Sequence, residues 1–86
     1  GHPELSEAHG FWFPSCRSIH TWFMPYPIDV IALDTSHTVV AILPKVLPWR
    51  MPPLPKTTRH IIECRAGEAA RLGLSQKMQL ALTPLS

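Results

Sequence analysis

Short apolar runs separated by prolines dominate the chain, and no apolar run is longer than five residues. That pattern favours strands over helices of more than two turns. Residues 10–14, centred on Phe11, Trp12 and Phe13, read as a first strand, and residues 17–23 as a second. In the second, Ile19, Thr21 and Phe23 share one face, and Ser18, His20 and Trp22 the other. The nearly continuous apolar runs 28–33 and 38–43, joined by Asp34, Thr35, Ser36 and His37, predict a β-hairpin buried on both faces at the centre of the core. With no glycine in the turn, it must span four residues or carry about 1 kcal/mol of left-handed strain, and Asp34 is placed to cap it through its own backbone.

The segment 44–56 carries Pro44, Pro48, Pro52, Pro53 and Pro55, which predicts a long, semi-rigid loop with Trp49, Arg50 and Met51 at its middle. Residues 58–64 predict another strand. A short helix follows near residues 67–72, closed by Gly73 and buried through Ala69, Leu72 and Leu74. Met78, Leu80 and Leu82 then alternate inward and finish the sheet. The expected architecture is mainly β: a small barrel-like antiparallel or mixed sheet with one short helix, in a single domain over residues 1–86.

Length and composition narrow this picture. A chain of 86 residues buries about 60–65% of its unfolded surface and supports one thin core. Hydrophobic residues at 45% against 16% charged place it among folded globules rather than disordered tails. The net charge of +2 is scattered, with no basic run, so charge nominates neither nucleic acid nor a membrane surface. No stretch approaches the ~20 apolar residues of a membrane span. Cys16 and Cys64 do not form a metal or redox motif, and a disulfide or two reduced thiols fit equally well. The chain starts at Gly1 without an initiator Met, which leaves the compartment open.

Candidate chemistry centres on His20. A carboxylate from Asp29 or Asp34 would fix its tautomer and raise its basicity, although a polar network that merely ties strands together carries more weight. Cys16, four residues before His20, adds too few ligands for a metal, and no cofactor motif is present. Trp49 beside Arg50 either pins the proline loop or meets a ligand. Tyr26 could reach a cleft rim, with a turn role more natural. Most rings of the aromatic set Phe11, Trp12, Phe13, Trp22, Phe23, Tyr26 and Trp49 are needed to fill the core, which argues against stacking on nucleic-acid bases.

The order of Cys16, His20-Thr21, Met24 and Pro27-Ile28-Asp29-Val30, then Pro48-Trp49-Arg50, then residues 63–74, resembles the domain-of-unknown-function 192 family. The likeness runs over about residues 3–82 and implies a mainly β, barrel-like fold with one short helix and no established activity. Three positions depart from the family pattern: Pro25 replaces a basic or aromatic residue, His37 a turn glycine, and Lys77-Met78 a Gly-Asp pair. The resemblance also implies a missing N-terminal strand, and with it an open sheet edge able to pair with another chain.

Two functions compete. The first is a non-catalytic ligand- or protein-binding module, its surface built from the proline loop around Trp49 and Arg50 and the strand of His20 and Thr21. The second is a small hydrolase-like or ligand-modifying enzyme with His20 and Asp29 as base and orienter and Arg50 as anion anchor. Neither requires a cofactor.

Overall fold

The computed structural model describes residues 4–6, 11–13, 17–18, 21 and 25–83. Its elements are β1 (Glu4–Ser6), β2 (Phe11–Phe13), β3 (Ile28–Leu33), β4 (Val39–Val46), β5 (His60–Arg65), α1 (Glu68–Arg71) and β6 (Ala81–Thr83). β3 has no polar alternation because it has no solvent face: all six of its residues are buried. It lies inside an antiparallel sheet of order β2-β5-β3-β4, hydrogen-bonded to β4 on one side and β5 on the other. The expected hairpin and the strand near 58–64 are therefore present, but only β3 is buried on both faces: as the edge strand, β4 buries Val39 and Ala41 and leaves its other residues half-buried or exposed. Among the described residues this sheet stays open rather than closing into a barrel.

Each face of β3 builds its own cluster, as strand alternation requires. Ile31 and Leu33 pack with Val39, Ile62, Cys64, Ala69, Leu74 and Leu80, beneath α1 and the segment that follows it. Ile28 and Val30 pack with Ile61 on the opposite face, where Leu54 of the proline loop covers them. The loop thus serves partly as a lid on the thin core.

Several expectations need correction. Arg17, Ser18 and Thr21 adopt no regular secondary structure, and the rest of the expected second strand, His20 included, lies outside the described residues. Thr21 spends its backbone on the proline loop instead: its N–H donates to Arg50 O at 2.7 Å and its carbonyl accepts from Trp49 N–H at 2.9 Å. The loop begins later than residue 44, since β4 continues through Pro44 and Lys45 to Val46. β4 is an edge strand whose register against β3 shifts between Ile28 and Val30, a setting in which a strand tolerates proline. The C-terminal residues do not complete the main sheet. Gln79 makes a single bridge to Thr38, and β6 pairs in parallel with β1 as a separate two-stranded sheet.

The β3–β4 turn combines both alternatives. Five residues, 34–38, connect the strands; within them His37 N–H donates to Asp34 O at 3.0 Å to close a four-residue turn, and His37 stands left-handed at φ 62°. Asp34 Oδ1 caps it, accepting from Ser36 N–H at 2.8 Å and Thr38 N–H at 2.9 Å. The helix ends as its glycine announces. Gly73, at φ 70°, donates its N–H to Ala70 O, while Leu74 N–H reaches Ala69 O, which is the paired bonding of a Schellman closure.

Lys77, where the family pattern places glycine, is left-handed at φ 73° and exposed. A side chain in that conformation costs about 1–2 kcal/mol, and glycine returns part of this as unfolded-chain entropy. Lys77→Gly is expected to raise stability by about 0.5–1 kcal/mol, read as a higher urea midpoint at unchanged slope. His37 would respond less, because its ring lies edge-on to His60 at 5.0 Å and glycine forfeits that contact.

Candidate functional site

Thr21 is fully buried beneath the start of the proline loop. Besides the two backbone bonds, its Oγ1 donates to Leu47 O at 2.7 Å and accepts from Arg50 N–H at 2.8 Å. One residue therefore fixes the main chain from Leu47 to Arg50. Because the backbone makes these bonds, the side chains are not required for them. Leu47, Trp49 and Met51 are 49%, 57% and 66% exposed. Trp49 sits left-handed at φ 62°, a backbone region that bulky residues rarely occupy. Arg50 is also exposed, its Nη1 no closer than 3.5 Å to the Pro48 and Trp49 carbonyls. Thr21, Trp49 and Arg50 are thus brought together, with Thr21 as the anchor and the other two as the displayed surface.

Asp29 has a different setting. It is 1% exposed, on the β3 face that meets α1. Oδ1 accepts from Lys45 N–H at 3.0 Å, and Oδ2 from Gly67 N–H and Ala69 N–H, each at 3.0 Å. Gly67 is the helix N-cap and has no side chain to satisfy the first turn, so a carboxylate from β3 supplies the acceptor. The local sequence carries one signal of this: an Asp within an apolar run must find partners when buried. Which partners it finds is set by contacts about forty residues away.

The two aspartates considered for His20 stand apart. Asp29 and Asp34 are five positions apart at opposite ends of β3, about 16 Å along an extended chain. Asp34 is engaged in its turn. His20 and Cys16 lie outside the described residues. Cys64 is reduced and buried, and burial, with the Asp29 and Glu68 charges, pushes its thiol up to about 12. A thiol buried and held protonated in this way is a poor nucleophile. Among the described residues, no three of His, Cys, Asp and Glu gather as a metal site would need. No helix among them is long and apolar enough to cross a membrane.

An open antiparallel sheet with one short helix, and a loop held by a buried threonine, define a small mainly β domain. The chain matches the family described as uncharacterized ACR, domain of unknown function 192, over residues 1–82, and it belongs to that family. A crystal structure at 1.22 Å of a protein of unknown function from Novosphingobium aromaticivorans DSM 12444 is similar, with a TM-score of 0.64 and 26% identity. The match covers 77% of this chain and 49% of that one, so the chain spans about half the length of its structural neighbour. No curated protein matches.

Proposed function

We propose that this domain is a non-catalytic binding module that recognises a protein partner through the rim of Leu47, Trp49, Arg50 and Met51. The observation that carries this reading is the exposure of three large apolar side chains on a main chain already fixed by Thr21. A pre-ordered loop loses little entropy on association. Trp, Met and Arg are the residue types that interface centres concentrate, and Trp and Arg those that dominate measured binding energy. The matching partner offers an apolar pocket for the indole and an acidic group for Arg50.

Strand addition fits the molecule less well. The exposed edge of β4 carries Pro44 and Lys45, with Lys45 left-handed at φ 52°, and these features discourage pairing with another chain. The start of that edge is covered by Val39 N–H donating to Met78 O and Lys77 N–H donating to Val39 O. The enzyme reading gains no support from Asp29, whose carboxylate is committed to three main-chain N–H groups.

Trp49→Asn keeps a residue tolerant of the left-handed backbone and removes the ring. It is expected to weaken partner binding by about 2 kcal/mol, close to thirtyfold, with the urea midpoint no lower than that of the unsubstituted protein. Paired affinity capture with both proteins as baits, then calorimetry on the captured partner, reads the effect. A set of bound proteins indifferent to the substitution overturns the reading.

A further inference from the structure

A second surface lies at the opposite end of β3. Ile28 pairs with Val46 at the rim end, whereas Leu33 pairs with Val39 and His60 at the other. There the β3–β4 turn, the approach to β5 and Arg17 border an open groove of about 260 Å³, lined by Arg17, Thr35, Arg59 and His60. These residues come from three separate stretches of chain, so the fold alone assembles them. We propose that this groove is a binding site for a phosphoryl group carried on a small molecule.

Size and charge both point this way. The volume falls just below the ~300–1,000 Å³ of pockets that enclose a whole drug-sized ligand, so the groove suits a charged head group. Among the described residues, neither Arg17 nor Arg59 forms an ion pair. Arg59 is held in place by Nη1 donating to Lys56 O and to Thr58 O, both at 2.8 Å, which orients the guanidinium before a ligand arrives. Two fixed positive charges balance a phosphate monoester, at roughly −1.5 to −2 near neutral pH, whereas a carboxylate needs only one. Thr35 adds a hydroxyl, and guanidinium forks match tetrahedral oxyanions.

His60 makes the site sensitive to pH. Its neighbours are His37, with the rings edge-on at 5.0 Å, Asp34 across the turn, and the two arginines of the groove. Burial and the His37 imidazole lower its pKa, and Asp34 opposes them more weakly. These influences together favour the neutral imidazole at neutral pH. A bound dianion favours the imidazolium, so anion affinity rises as pH falls through the histidine range.

The test is an NMR titration of the labelled full chain with inorganic phosphate at constant ionic strength, using sodium chloride and acetate as controls. Saturable shifts are expected at the amides of Thr35, Arg59 and His60, with acetate binding at least tenfold more weakly. Arg17→Gln and Arg59→Gln should each weaken phosphate binding about tenfold. Among the described residues Arg17 makes no bond to the fold, so its variant remains informative if loss of the Arg59 bonds loosens the chain. Sulfate, whose charge does not change in this range, should bind several-fold more tightly near pH 6 than near pH 8. Shifts that follow chloride alone, acetate binding equal to phosphate, or indifference to Arg17→Gln each overturn the assignment.

Discussion

Replacing Asp29 by asparagine is expected to cost about 3 kcal/mol, a large share of the 5–15 kcal/mol that holds a small domain together. The shape is nearly conserved, so the effect isolates hydrogen-bonding capacity. The carboxylate accepts three main-chain N–H groups through two oxygens, from Lys45, Gly67 and Ala69. An amide keeps one oxygen and turns an NH₂ toward donors. At least one main-chain N–H then faces another donor beside a buried side chain, the costly half of hydrogen-bond energetics. Asp29→Ala removes all three acceptors and is expected to be worse. Urea unfolding of the Asn variant measures the loss. A cost under about 1 kcal/mol would show that the helix start and the end of β4 find other partners.

Thr21→Val carries the second-largest expected effect, about 2 kcal/mol, from two hydrogen bonds at roughly 1 kcal/mol each. Valine matches the shape of threonine but leaves Arg50 N–H without its acceptor and Leu47 O without its donor. The backbone pair between Thr21 and residues 49 and 50 survives, so the loop loosens rather than detaches. Faster hydrogen exchange at the Arg50 amide distinguishes this from a general loss of stability, and Thr21→Ser, which retains the hydroxyl, should restore most of the protection. If Thr21→Val leaves Arg50 exchange unchanged, the hydroxyl is not what fixes the rim.

Local pattern revealed the parts of the fold that are locally determined. The β3–β4 hairpin follows from two apolar runs around an Asp-led turn, and the helix end from Gly73. Asp34 was readable as a turn cap because its partners are two and four residues away. Asp29 was readable only as a polar residue in an apolar run, since the N–H groups that claim it are up to forty residues distant. The same holds for Thr21, whose hydroxyl partners lie 26 and 29 residues on. The sequence drew attention to Trp49 and Arg50, yet left open whether their side chains pin the loop. The bonds that pin it run from the main chain and hydroxyl of Thr21 to the main chain of the loop, and composition is silent about main chain. The parallel pairing of β1 with β6 joins opposite ends of the chain and has no local signature. Pro44 misled because proline is excluded from interior strands, and nothing local marks β4 as an edge.

The left-handed backbone at residue 49 also fixes what an unbiased library would return there. Screened for folding alone, such a library favours glycine, asparagine and aspartate, and rejects valine and isoleucine, whose branched Cβ clashes at positive φ. Tryptophan belongs to neither favoured group. Its presence at the tip therefore carries a backbone cost, and variants enriched for thermal tolerance would be the first to lose it.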